Sequence, residues 1–389
     1  MKIAMFYELF WPTRGGLETW IASVSKELMK RGHEVDIITG AIPNQPKEEI
    51  IENLHIKRID WKGIMKSSYI PGYTNIKRQF FWLLVGKLFW KVHKNDYDII
   101  HPHVQSSLIA TLLGGGPKKI VWTWHGTYHK QLYQMYPFFQ AFFYDIGEHV
   151  AINLPYAACI TADEYTKSLA VKHMGADPKR IFPVSNGVDI KMFKPLKVRK
   201  PKNWPKGFHI VSTRRLVPKT GLQFLIPAMK KIVEKREDVY LMIYGDGPLK
   251  KELIKIRKNL KLENNVYLMG ASPYSQMPKI YNSADVVAIP SLIEATSISC
   301  LEAMACGKLL ITCPVGGVPE IAPRNMVLYA KPGDVKSLEK TLIKAIFNMN
   351  ENGRKKIGIK ARKHIEKNFT WEKTVNKILK VYETVLKKE

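Results

Sequence analysis

The chain has 389 residues, 46% of them hydrophobic and 24% charged, which is ordinary for a folded protein with room for two domains of about 150 residues or more. No run of about 18 uncharged apolar residues occurs, so no helix is long and dry enough to span a bilayer, and the opening MKIAMFY meets Glu8 at once and reads as a buried strand, not a signal peptide. The formal net charge of +27 favours anionic partners, with nucleic acid, an anionic membrane surface and phosphorylated substrates as the candidates.

In chain order, Lys2–Tyr7 reads as a strand, and residues 17–31 follow with Leu17, Trp20, Ile21, Val24 and Leu28 at helical spacing. Gly32 supplies the stop, and residues 34–39 form the next strand, which makes a βαβ unit and hence a parallel sheet. The pattern resumes with strands at 98–100, 119–123, 158–161 and 180–184. A second series runs 208–212, 240–244, 266–269, 285–289 and 309–312, with helices such as 221–234 and 248–260 between them. The expected fold class is therefore α/β, with two doubly wound parallel-sheet domains, 1–197 and 207–368. Between them, KPLKVRKPKNWPK at 194–206, with three prolines and no period, reads as a linker. The tail from 368 onward is a final helix. Cys159, Cys300, Cys306 and Cys313 form no CxxC pair, which fits free thiols in a reducing, cytoplasmic setting.

Open α/β sheets bind ligands at the carboxyl ends of their strands, so the loops there carry the chemistry. Gly15-Gly16 at a helix start either lets backbone N–H groups approach a phosphate or only makes a turn. GxGxxG is absent, which counts against a nicotinamide or flavin enzyme. His125, before Gly126, ends the strand 119–123, and His101 and His103 follow the strand 98–100 in the same way. Arg214, Arg215 and Lys219 follow the strand 208–212, where cations either clamp a diphosphate or are only solvated surface charge. Gly245, Asp246 and Gly247 form another strand-to-helix turn, which either lines a nucleotide pocket or is only a turn. The segment 290–307, PSLIEATSISCLEAMACG, is the most informative. Glu294 opens it, and Glu302 lies eight positions later inside an apolar helix. There its charge needs a partner, either a ribose diol or an internal Lys or Arg. Ser297 and Ser299 leave room at the helix start for a phosphate or a sugar.

The ordered set GGLE (15–18), GHEV (32–35), HG (125–126), NGVD (186–189), RLVP (215–218), GDGP (245–248), E-x7-E (294–302), EAMACG (302–307) and GGVPE (316–320) resembles glycosyltransferase family 4 over about residues 1–330. The resemblance implies a GT-B fold, two Rossmann-like domains facing a central cleft, with the final helix, 370–389, crossing back to the first domain. It also implies a retaining glycosyltransferase with a nucleotide-diphosphate-sugar donor (UDP- or GDP-sugar), and neither cofactor nor metal. Carried over by position, Glu302 holds the ribose hydroxyls, Glu294 the donor sugar, and Arg215 and Lys219 the diphosphate. His125 lies beside the donor sugar, Gly16 offers its backbone to the phosphate, and Thr296, Ser297 and Ile298 complete the donor site with Gly15, Arg214, Gly245, Asp246 and Gly247. Three departures stand out. Arg214 occupies a place where glycine is common, which leaves open whether Arg214 or Arg215 contacts the diphosphate. Thr296-Ser297 replaces a common Phe-Gly, and Ser185 replaces a common proline. A nucleotide-sugar epimerase or a phosphorylase would share the architecture, but the E-x7-E segment argues against both.

For the acceptor, residues 76–94 are the clearest pointer. On a helix Phe81, Leu84, Val85, Leu88 and Val92 form a core stripe, leaving Trp82, Leu83, Phe89 and Trp90 outside it near Lys87, Lys91 and Lys94. That outer face suits either an anionic membrane surface, and with it a glycan or lipid-linked acceptor, or packing against protein. The aromatic stretch 133–144 adds a second such segment. A nucleic-acid binder would exploit the charge, but the basic residues are scattered, so no nucleic acid is expected. No oligomeric state follows from the sequence.

Overall fold

The computed structural model describes residues 1–11, 15–42, 44–59, 76–115, 119–125, 133 and 138–387, without the side chains of 76–81 and 140. Two compact units divide the chain, one of residues 1–185 with 371–389 and the other of residues 186–370. The division falls ahead of the expected linker at 194–206. That stretch belongs to the second unit, because Phe193 and Trp204 are buried in its core and Lys200 bonds Asp285 at 2.6 Å.

The first unit begins with β1 (Lys2–Phe6), α1 (Gly16–Met29) and β2 (Glu34–Gly40). Trp20, Ile21, Val24 and Leu28 bury one face of α1, as their spacing requires. There follow β3 (Glu48–Ile51), β4 (Leu54–Ile59), α2 (Ile76–His93), β5 (Ile99–Pro102), α3 (Gln105–Leu113), β6 (Val121–Trp124), α4 (Phe138–Ile152), β7 (Ala158–Thr161), α5 (Glu164–Met174) and β8 (Ile181–Pro183). The sheet order is β3-β4-β2-β1-β5, with β6-β7-β8 continuing it through parallel bridges Ile100–Ile120 and His103–Thr123. All pairs are parallel except β3 with β4. That hairpin turns at Glu52 and Asn53, both at positive φ (51° and 66°).

Helix α2 corrects the expected faces. Trp82 and Trp90 are fully buried, while Leu84, Leu88 and Val92 are exposed beside exposed Lys87 and Lys91. The indoles go inward because Phe6 of β1 stacks on Trp82 at 4.4 Å and meets Trp90 edge-on at 5.1 Å, and Trp82 Nε1 donates to Ser107 Oγ at 2.9 Å. Between them Gly86 lets the helix close on Ala110 and Phe6, so positions 82, 86 and 90 form the buried stripe. The indoles remove more apolar area from water than the aliphatic stripe would, about 3–5 kcal/mol each by the cost of truncating them. Trp11, Trp20, Trp122 and Trp124 are buried too, so tryptophan abundance in this unit reflects its core; Trp61 lies outside the described residues. On α4, by contrast, Phe138, Phe139, Phe142, Phe143, Ile146 and Val150 are exposed. Among the described residues no helix is long and apolar enough to cross a membrane.

The second unit runs β9 (Phe208–Thr213), α6 (Leu222–Lys235), β10 (Val239–Tyr244), α7 (Lys250–Asn259), β11 (Val266–Gly270), α8 (Met277–Ser283), β12 (Val286–Ile289), α9 (Ile298–Ala305), β13 (Leu310–Thr312), α10 (Val318–Ile321), β14 (Leu328–Tyr329), α11 (Val335–Ile346) and α12 (Glu351–Asn368). Its strands are all parallel in the order β11-β10-β9-β12-β13-β14. This doubly wound order reverses between β9 and β12, and ligands of such sheets bind at the carboxyl end of that reversal. The final helix, α13 (Trp371–Leu386), belongs to the first unit, where Trp371, Val375, Ile378 and Tyr382 join its core.

Candidate active site

At the reversal point of the second unit, the loops after β9 and β12 meet through side chains. Arg214 Nη2 forms an ion pair with Glu294 Oε2, its Nη1 donates to Ser297 Oγ at 3.4 Å, and Ser291 Oγ donates to the same Glu294 oxygen at 3.1 Å. Burial works against the Arg214 charge, but Glu294 more than restores it, and the guanidinium pKa ends above its ordinary value. Arg214, where glycine is common in the resembling family, is thus the internal partner of Glu294. Arg215, next to it, is exposed. Lys219 is half-buried, and its carbonyl accepts from Leu292 N at 2.8 Å, tying the loop after β9 to the loop after β12.

Glu302 sits in α9, 4% exposed. Its partner is neither Lys nor Arg: Tyr281 OH donates to Glu302 Oε2 at 2.8 Å, and Tyr274 is a second hydrogen-bond partner. Burial pushes the Glu302 carboxyl up to about 7, against the pull of the two tyrosines and Arg214. Tyr281 also shares a hydrogen bond of 2.5 Å with Thr213 Oγ1 at the end of β9, so Glu302 is linked to the strand that carries Arg214. Ser297 stands at the N-cap of α9 and its side chain accepts no cap bond, while Thr296 and Ser297 are buried and Ile298 is half-buried. The start of a helix presents N–H groups suited to an anion.

The glycines of these loops are spent on loop packing. A Cβ on Gly316 (φ +52°) would overlap the carbonyl oxygen of Glu294, and one on Gly245 (φ +147°) would overlap that of Arg214. The turn at Gly245, Asp246 and Gly247 therefore holds the Arg214 backbone, with Arg214 N donating to Tyr244 O at 2.9 Å and Asp246 exposed.

In the first unit, Gly15 precedes α1 and Gly16 opens it, at the carboxyl end of β1. His103, just after β5, is wholly buried, and its Nδ1 lies 3.0 Å from Nε2 of half-buried His125, just after β6. Gly126 lies outside the described residues. His101 bonds Tyr382 OH and Thr123 Oγ1. Burial lowers all three imidazoles, His101 and His125 to about 3, so each is neutral near pH 7. Among the described residues no group of His, Cys, Asp or Glu is arranged to hold a metal ion.

The family model for Glycosyltransferase Family 4 matches residues 14–191, and that for Glycosyl transferases group 1 matches residues 195–364. The chain is a family 4-like glycosyltransferase. A phosphatidylinositol N-acetylglucosaminyltransferase subunit from Arabidopsis thaliana is 26% identical to it, covering 100% of this chain and 83% of that protein. A sucrose-phosphate synthase from Thermosynechococcus elongatus superposes with a TM-score of 0.86 at 19% identity, covering all of both chains. Anabaena HepE in complex with UDP and glucose gives 0.77 at 19% identity, covering 99% of this chain and 100% of that one. The fold is GT-B.

In this glycosyltransferase, sequence reasoning picked out the loops but missed the side chains that support them. Tyr281 and Tyr274, which hold Glu302, and Ser291, which donates to Glu294, carry no sequence signal that singles them out for these roles. Asn186, whose Nδ2 donates to Thr296 O at 2.9 Å, is far from 296 in sequence. The one signal in the sequence was charge: a buried glutamate in an apolar helix demands a nearby donor.

Proposed function

We propose that this glycosyltransferase moves a sugar from a UDP- or GDP-sugar to a glycan or lipid-linked acceptor, with retention of anomeric configuration and without a metal. The observation that carries the reading is the cluster of Arg214, Glu294 and Ser297 next to buried Glu302, at the reversal point of a doubly wound sheet. Glu302 accepts from the ribose hydroxyls, and Glu294 from the donor sugar. Arg215, Lys219 and the N–H groups at the start of α9 take the diphosphate, which is fixed stabilisation of charge that grows as the bond breaks. His125 serves the donor sugar, and Gly16 gives its backbone to the phosphate. The bond between the anomeric carbon and the diphosphate breaks as the acceptor oxygen joins that carbon on the same face. The acceptor proton passes to the departing phosphate oxygen, and no side chain acts as nucleophile.

A lipid-linked acceptor at an anionic membrane is supported by the exposed phenylalanines of α4 and by Leu84, Leu88 and Val92 of α2 beside Lys87 and Lys91. The Arabidopsis relative's name also specifies phosphatidylinositol. The test incubates the enzyme with α-linked UDP- and GDP-sugars and phosphatidylinositol vesicles in chelator, and reads the product's anomeric proton by NMR. An α-linked product supports the reading. A β-linked product, or turnover that requires added metal, overturns it.

A further inference from the structure

Three histidines of the first unit surround one indole. Trp20 meets His101, His103 and His125 edge-on at 5.7, 5.2 and 5.4 Å. The backbone is held there at a cost: Val104, directly after His103, has φ +64°, a conformation rare for a β-branched residue. Both ring nitrogens of His101 are engaged, by Tyr382 and Thr123. The pair left over is His103 and His125, whose facing nitrogens share one proton at 3.0 Å. The far nitrogen of His103, Nε2, is buried with no partner among the described residues. If that atom carried the proton, an N–H would be buried unpaired. If Nδ1 carries it, only a lone pair is left unsatisfied, which folded proteins tolerate more readily. His103 therefore donates to His125 Nε2, and the His125 proton sits on Nδ1, a nitrogen that no described residue engages.

We propose that His103 is a positioning residue that fixes His125 in the tautomer protonated on Nδ1, so that His125 meets the donor sugar as a hydrogen-bond donor. This rests on the assignment of His125 to the donor sugar made above. A second-layer hydrogen bond that sets which imidazole nitrogen carries the proton is a general device for orienting functional histidines.

The test uses the full chain labelled with 15N-histidine, the His125 signals being assigned by their loss in His125→Gln. Long-range 1H–15N spectra then read the tautomer in wild type, His103→Asn and His103→Leu. Asparagine keeps an N–H donor near the Nδ1 position, and leucine removes it. Wild type and His103→Asn are expected to show protonated Nδ1 on His125, and His103→Leu a mixture. In transfer assays, His103→Leu is expected to lose about tenfold in kcat, the worth of roughly one hydrogen bond, with KM for the donor changed far less and with rescue by His103→Asn. His125 protonated on Nε2 in wild type overturns the proposal, whether or not His103→Leu folds. So does a folded His103→Leu with unchanged tautomer and kcat. Protonated Nδ1 in a protein that transfers no sugar supports the tautomer and defeats the donor assignment instead.

Discussion

Glu302→Gln tests the energetics of the site apart from its chemistry. Burial raises the Glu302 carboxyl from 4.5 to about 7. In the unfolded chain it returns to its ordinary value, so between about pH 4.5 and 7 the folded state binds a proton that the unfolded state does not. Stability tied to this group is therefore fully present below pH 4.5 and is lost as pH rises through 7. The cost of holding the charge at pH 8 is about 3 kcal/mol, taking about 1.4 kcal/mol per tenfold change in proton affinity. Glutamine keeps an acceptor for Tyr281 and cannot ionise. The variant should match wild type near pH 4 and exceed it by up to about 3 kcal/mol at pH 8, read by urea unfolding of both proteins across that range. A stability difference that stays flat from pH 4 to 8 would refute the argument that burial governs Glu302.

Arg214→Ala leaves Glu294 largely buried beside Ser291 with no cation, so it should destabilise the protein by about 3–5 kcal/mol in urea unfolding, and Arg214→Ala/Glu294→Ala together should recover part of that. On α4, Phe139→Ser with Phe143→Ser should leave the melting temperature unchanged while abolishing co-flotation with vesicles containing anionic lipid. Flotation that survives the double substitution would remove α4 from the membrane reading.

The sheets were legible because period and composition report them. VYLMIY is apolar on both faces, as a buried parallel strand is, EVDIIT carries Val35, Ile37 and Ile38 beside its acids, and a glycine follows each run. The hairpin of β3 and β4 escaped notice because its turn residues, Glu52 and Asn53, are not a glycine pair. The faces of α2 were inverted because a helical wheel ranks residues by spacing. What decides the matter is a contact far away in sequence, Phe6 stacked on Trp82, with Gly86 admitting the neighbouring helix. Likewise Trp204 turns an apparent linker into core by donating to Tyr244 OH at 3.1 Å. At the site, Glu294 and Glu302 could be singled out from their setting. Which arginine each loop spends internally could not, because Arg214 and Arg215 are adjacent and differ only in the direction their side chains take from the end of β9.

The most direct test of the donor site is calorimetric titration of UDP, GDP and ADP into wild type, Arg215→Ala and Glu302→Ala in chelator. Arg215 is exposed, so its removal should leave the fold intact, and loss of one charged hydrogen bond to a phosphate is worth about 1.5–3 kcal/mol, roughly a 10- to 100-fold rise in Kd. The account predicts that one nucleotide binds wild type and weakens by that much in Arg215→Ala, and that Glu302→Ala weakens it by at least about tenfold. Absence of binding by all three nucleotides, or equal binding by all three proteins, would contradict it.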